Sequence, residues 1–221
     1  MARIARIVAP DFPHHIVQRG NRRQQVFFID KDYQDYLNLL KEYTGKCNVA
    51  IVVYCLMPNH IHLIAIPRQQ KSLAKAIGET HRRYTCMVNF RNDWRGYLWQ
   101  GRFSSYILDE PYLLSAARYI LLNPVRAGLV KDAEDYKWSS IRHHLNRQKN
   151  PLIKDNILKD LIPDWNAFLD EKPNATDIKL FRLHERTGRP LGTKSFIERL
   201  ESELNIKLKK TKPGPKKEKN K

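Results

Sequence analysis

The stretch VAIVVYCLMPNHIHLIAIP, Val49 to Pro67, constrains the fold more than any other part of the chain. Its first nine residues, Val49 to Met57, are apolar without interruption, as in a central strand buried on both faces. Pro58 and Asn59 then make a tight connection, because proline presets its own backbone angle and asparagine tolerates turn geometry. In the run that follows, successive side chains of a strand point to opposite faces. His60, His62, Ile64 and Ile66 therefore share one side, and Ile61, Leu63 and Ala65 the other. The whole reads as a β-hairpin carrying two imidazoles on one face. Neutral imidazole is the commonest side-chain ligand for transition metals, and two from one rigid strand can grip an ion from the same direction. The competing reading of the same two residues is a hydrogen-bonded structural pair.

Upstream, PHHIVQR (13–19) and VFFI (26–29) read as short β-like runs, separated by GNRRQQ with Gly20 and Asn21 as a turn. Asp30 is placed as the N-cap of a helix in which Tyr36, Leu39, Leu40 and Tyr43 recur at three- and four-residue spacing, ending near Gly45. Residues 71–92 form a second helical pattern, with Leu73, Ile77, Tyr84 and Val88 among its apolar positions, and 96–108 read as extended. A third helix runs from about Glu110 until Pro124, which lacks the amide hydrogen a helix interior needs. Strand, helix, two strands, helix, strand, helix is an α+β order. It predicts an antiparallel sheet with helices on one face and the other face free for a ligand.

Beyond about residue 147 prolines punctuate short segments without strand signals. The chain thus divides into a first unit, 1–147, a helical C-terminal extension, 148–206, and a Lys-rich tail, 207–221. Helices are expected at about 177–187 and 196–206, the second opened by Ser195 and Glu198 in capping-box spacing. TGRPLG between them is a turn, and the gap is long for a helix-turn-helix. The tail cannot form a core and is expected to be disordered.

Charge narrows the partners. The formal net charge is +17; eight lysines and one glutamate in residues 207–221 supply +7 of it, and residues 1–206 still carry +10. A field of that sign attracts polyanions, so nucleic acid is the leading partner, with a merely solubilising surface as the alternative. No apolar run approaches the ~18 residues of a membrane span, and the first residues lack the apolar core of a signal peptide. A cytoplasmic protein, nucleoid-associated when bound to DNA, is expected. Cys47, Cys55 and Cys86 are odd in number and form no C-x-x-C pair, which argues against a disulfide framework or a cysteine zinc site.

In the third helix Tyr119 and Asn123 are four residues apart and share a face, so a hydroxyl and an amide oxygen can point at one place. If that helix lies beside the histidine strand, a metal with two imidazoles, an oxygen ligand and a nearby phenol results, the parts that phosphoryl transfer needs. A core aromatic is the alternative for Tyr119. No P-loop pattern occurs. Arg82, Arg83, Tyr84, Arg91, Trp94, Arg95, Tyr97, Trp99, Arg102 and Phe103 interleave cations with aromatics, as a surface for phosphates and stacked bases would. The arginines of that series, with Arg19, Arg22 and Arg23, are candidate DNA contacts, while Trp99 and Phe103 are expected in the core. His14 and His15, and His143 and His144, also come in pairs, but sequence neighbours point apart, and all four are left out of the site.

The blocks HHIVQRGNRRQQVFF, YCLMPNHIHLIAIP, LWQGRFSSYILD and YILLNPVRAGLV, in that order over about residues 5–145, resemble the single-tyrosine HUH transposases, where U is a hydrophobic residue. Within that family the likeness is to the REP-associated tyrosine transposase branch. The resemblance implies a ferredoxin-like domain with Mg²⁺ or Mn²⁺ held by His60 and His62, and Asn123 at the place of a third ligand that related groups supply as glutamine. It implies Tyr119 as the nucleophile on single-stranded or hairpin DNA, leaving a 5′-phosphotyrosine link and a free 3′-hydroxyl for rejoining. Whether such a chain works as monomer or homodimer is left open. A non-catalytic hairpin DNA- or RNA-binding regulator, and a metal-dependent hydrolase without a covalent step, are the rival readings.

Overall fold

The computed structural model describes residues 6–153 and 157–208. Four strands, β1 (His14–Arg19), β2 (Val49–Met57), β3 (His60–Pro67) and β4 (Ser104–Ile107), form one antiparallel sheet in the order β2-β3-β1-β4. Helix α1 (Asp30–Lys46) connects β1 to β2, and α2 (Ser72–Asn92) connects β3 to β4. This βαββαβ order is the expected ferredoxin-like arrangement. After it come α3 (Glu110–Leu121), α4 (Asn123–Arg126), α5 (Ile141–His144), α6 (Ile157–Leu161), α7 (Trp165–Asp170), α8 (Ala175–Thr187) and α9 (Lys194–Leu204). Among the described residues no helix is long and apolar enough to cross a membrane.

The hairpin closes as the sequence predicts, with Met57 opposite His60 across Pro58 and Asn59. Its first strand, however, is an edge strand and not a central one. Its apolar character on both faces arises because both sides of the sheet are covered, and its open edge is covered too. Leu56 N–H donates to Trp138 O at 2.9 Å, Ser140 N–H donates to Tyr54 O at 3.0 Å, and Ile153 bridges to Ile51. The other edge, β4, is capped in the same way by the TGRPLG turn: Leu191 N–H donates to Ile107 O at 2.8 Å, and Leu191 O accepts Asp109 N–H at 3.1 Å. Each device consumes backbone groups that would otherwise template pairing with another chain.

One face of the sheet, with Ile16, Ile61, Leu63 and Ala65, packs against α1 and α2 through Tyr36, Leu40, Leu73, Ile77 and Tyr84. The opposite face, which the sequence pattern predicts to be open, is instead covered by α3 and by the C-terminal helices. There Leu113, Ala117, Ile120, Leu158, Ile162 and Phe181 pack on Val53, Cys55, Ile64 and Tyr106. Most of those strand residues are apolar, and leaving them in water would forfeit about 25 cal/mol per Å² of burial. Residues beyond 147 therefore complete a core shared with the sheet.

Local details depart from the sequence reading where a nearby group competes better. The α1 start is held by Asp32, whose carboxylate accepts Phe28 N–H and Ile29 N–H at 2.7 and 3.1 Å, in place of the expected Asp30. At α9 the capping residue is Thr193, accepting Phe196 N–H at 3.3 Å, two residues before the expected Ser195. VFFI is not a strand, for Val26 and Phe27 both donate to Pro58 O and Phe27 buries its ring against Tyr33, 4.4 Å between centroids. Of the extended 96–108 run only Ser104–Ile107 pairs as a strand. The third helix stops at Leu121, and Pro124 falls in the first turn of α4, where the missing amide hydrogen would have had no partner anyway. The Lys-rich tail lies outside the described residues from 209 onward, but Leu208 is buried beside Ala9, Ile107 and Leu200.

Candidate active site

Strand pairing assembles the site. His60 and His62 point to the face that α3 covers, with ring centroids 5.0 Å apart. His62 is 2% exposed, and His60, at the end of the hairpin, is half-buried. Tyr119 on α3 faces His62 edge-on, 5.7 Å between centroids and 89° between planes. Asn123, one turn later in α4, is buried. The structure thus brings Tyr119 to His62, with His60 beside it, and buries Asn123 in the turn that follows α3. Tyr112, seven residues upstream and the nearest rival phenol on the helix, is a partly buried packing residue whose charged neighbours are Asp177 and Asp109.

A hydrogen bond sets the His60 tautomer. His60 Nδ1 lies 2.6 Å from Asn59 Oδ1, and the other end of that amide donates to Arg23 O at 3.2 Å. Asn59 thus offers His60 an acceptor, so the proton sits on Nδ1 and Nε2 keeps its lone pair. Desolvation, then the Arg19 charge, lowers the His60 pKa to about 3, and burial drives His62 well below its ordinary value. Both rings are neutral at physiological pH, the state in which imidazole ligates a metal.

The donor set fits a divalent cation. Two neutral imidazoles supply nitrogen, and the buried Asn123 amide has its Nδ2 end without a hydrogen-bond partner. An amide whose ends exchange by rotation can turn an oxygen to an ion. Among the described residues no group of three histidine, cysteine or carboxylate side chains is placed to hold a metal.

Two residues that the sequence reading does not count in the site lie against it, and one of them, His15, is excluded there explicitly. His15 sits on β1 in the same face as His62, and its Nε2 is 3.0 Å from His62 Nδ1. His14 and His15 do point apart, as expected: His14 turns away and its Nε2 accepts Ala9 N–H at 3.3 Å. It is this alternation that delivers His15 to the site. Arg126 places its guanidinium carbon 4.3 Å from the Tyr119 ring centroid. A strand parity count through β1, once its pairing to β3 is known, finds His15. Arg126 has no sequence signal beyond its place in YILLNPVRAGLV.

The candidate DNA contacts divide. Arg19 ends β1 opposite His60. Arg22 and Arg23 lie on the short turn Asn21–Arg23, both with positive φ (51° and 64°) and both exposed, and the turn is fastened to the hairpin by Gly20 N–H donating to Asn59 O at 2.8 Å. Gly20 has to be glycine for space: an added Cβ would lie 2.2 Å from Gln24 O. Arg82 is exposed but paired with Glu79, and Arg83, Arg95 and Arg102 are exposed. Arg91 forks onto Asp32 and ties α2 to α1. Of the aromatics, Tyr84, Trp99 and Phe103 are core, whereas Tyr97 is 86% and Trp94 45% exposed.

Comparison with known proteins bears on the fold and the family. A Haemophilus influenzae protein assigned to the REP-associated tyrosine transposases is 26% identical over 132 residues, covering 53% of this chain and 75% of the relative. A solved REP-associated tyrosine transposase, bound in its structure to a REP hairpin, superposes with a TM-score of 0.58 at 19% identity, covering 71% of this chain and 93% of that one. At that identity the superposition speaks to the fold. The sequence pattern of the family described as "Transposase IS200 like" matches residues 10–123, more than half of the chain and the whole span from β1 to Asn123. The chain therefore belongs to the IS200-like transposases, a family of divalent-metal-dependent, DNA-cleaving enzymes.

Proposed function

We propose that this chain binds hairpin DNA of the REP type and cleaves and rejoins an adjacent single strand through a covalent phosphotyrosine. The observation that carries the reading is the placement of Tyr119 against His62 on the one face that also holds His60. His60, His62 and Asn123 would hold Mg²⁺ or Mn²⁺, the imidazoles favouring Mn²⁺. When bound, the ion supplies charge that polarises a phosphate oxygen.

The chain's own residues do the rest. The Tyr119 oxygen attacks phosphorus as the bond to the 3′ oxygen breaks, leaving the DNA 5′-phosphate on the phenol; in the balance the phenolic proton ends on the 3′ oxygen. The reverse reaction rejoins a strand with no outside energy source. Burial of Tyr119 between Phe181, His62 and the Arg126 guanidinium fixes the ring, so attack needs little further ordering. Arg19, Arg22 and Arg23 stand at the His60 end of the sheet, where they would receive the phosphates of the strand. The exposed Arg95, Trp94 and Tyr97 lie on the segment whose Leu98 O accepts Asn21 N–H at 2.8 Å, and would extend that surface to stacked bases.

The test is incubation with a hairpin carrying a single-stranded flank, with Mn²⁺ or with chelator, followed by denaturing electrophoresis. A metal-dependent protein–DNA adduct, mapped to Tyr119 by peptide mass spectrometry, is the expected result. Hairpin binding with no adduct under any metal would favour the non-catalytic regulator, and cleavage without an adduct would favour a hydrolase.

A further inference from the structure

Behind the histidine pair lies a buried chain of three hydrogen-bonding rings. His62 Nδ1 meets His15 Nε2 at 3.0 Å, and His15 Nδ1 meets the Tyr106 hydroxyl at 2.6 Å. All three are 2% exposed or less. They come from three adjacent strands, since β1 pairs with β3 and with β4 and places Tyr106 directly opposite His15.

Such a chain has two polarities. In one, His62 Nδ1–H donates to His15 Nε2, His15 Nδ1–H donates to the Tyr106 oxygen, and His62 Nε2 is left bare. In the other, Tyr106 O–H donates to His15, His15 Nε2–H donates to His62, and His62 Nε2 carries a hydrogen that no cation can displace without a rearrangement of all three protons. Only the first makes His62 a ligand. We propose that His15 and Tyr106 are positioning residues that hold His62 in the Nδ1–H tautomer, so that its Nε2 lone pair is ready for a divalent cation. The inference rests on the reading of His60 and His62 as ligands.

The geometry favours that polarity. His62 Nδ1 is taken up by His15 Nε2 at 3.0 Å, so Nε2 is the ring nitrogen that His62 has left for a cation. His60 already has the matching tautomer, fixed by Asn59, so the two rings would present like ends. Phe181 also closes over the His15 ring at 6.1 Å and 87°, which shuts the relay away from solvent. Neutral rings can carry the relay only as one tautomer or the other, never as doubly protonated donors. Such outer partners of ligating histidines ordinarily fix the ring and raise its basicity.

The test uses the full chain labelled with ¹⁵N, without metal or DNA. Long-range proton–nitrogen NMR is expected to show His62 and His15 each protonated on Nδ1 and bare on Nε2. Mn²⁺ titration by calorimetry should then give an affinity lowered about 10- to 100-fold in His15→Leu and in Tyr106→Phe, with His15→Gln, which keeps an acceptor, close to the parent. Tyr106→Phe preserves the ring and so guards against a folding artefact, checked by its amide spectrum. A hydrogen on His62 Nε2 in the parent protein, or parent-like Mn²⁺ affinity in folded His15→Leu and Tyr106→Phe, would overturn the proposal. If the parent bound no Mn²⁺ that His60→Ala removes, the ligand reading itself would fall, and the NMR tautomer would still decide the relay.

Discussion

Tyr119 stands perpendicular to the His62 ring at 5.7 Å while the Arg126 guanidinium lies over its own ring at 4.3 Å. A phenol so placed has a neutral imidazole at one side and a fixed positive charge on its face. Tyr119 lies in the last turn of α3 and Arg126 closes α4, on either side of the break at Leu122.

Tyr119→Phe removes one oxygen and keeps the packing against Phe181. Cleavage and the covalent adduct should vanish, whereas stability should change by no more than about 1 kcal/mol and hairpin affinity should hold. Thermal melting, electrophoretic mobility shift and adduct trapping read the three separately. An adduct persisting in this variant would move the nucleophile elsewhere.

Arg126→Ala strips the cation from the Tyr119 face. A cation–π contact is worth about 0.5–2 kcal/mol, so the single-turnover cleavage rate should fall about 2- to 30-fold. Arg126→Lys should recover only part of it, because a point charge does not stack as a planar guanidinium does. Equal rates in parent and alanine variant would reduce Arg126 to a surface residue.

His60→Ala should abolish cleavage and Mn²⁺ binding while leaving hairpin affinity largely intact. His60 contributes a nitrogen ligand at the half-buried end of β3, and its loss opens no large core cavity. Calorimetric Mn²⁺ binding unchanged by this substitution would place the ion away from β3.

Asp32→Asn tests the joint between the helices that back the sheet. Burial alone would raise the Asp32 pKa, but the Arg91 fork and the Phe28 and Ile29 amides outweigh it and hold the pKa below the ordinary value of 3.8. A group depressed in the folded state stabilises above its unfolded pKa and loses that effect as pH falls through the folded one. The variant should lose about 1–3 kcal/mol in urea unfolding at pH 7, and the gap to the parent should close as the pH is taken below about 4. A gap that stayed constant down to acid pH would show that the carboxylate charge is not what matters.

Truncation after Leu208 removes seven lysines and one glutamate and spares the buried Leu208 side chain. Affinity should weaken alike for the hairpin and for a scrambled sequence, and the logarithmic salt slope should flatten by nearly one unit for each phosphate that the tail had neutralised. Loss of discrimination between the two DNAs would instead make the tail a specificity element.

The hairpin, the helix periods and the parity that sets His60 beside His62 are legible in the amino-acid order, because they depend on residues a few positions apart and on rules of local geometry. The spacing of Tyr119 and Asn123 is legible for the same reason. Long-range packing alone settles that β2 is an edge, that the C-terminal helices cover the histidine face, and that His15 and Tyr106 reach the site. His15 and His62 are 47 residues apart, and His15 and Tyr106 are 91. Whether such residues meet depends on strand order and register, which are fixed when distant apolar surfaces pair to leave water, and no window of neighbouring residues contains that information.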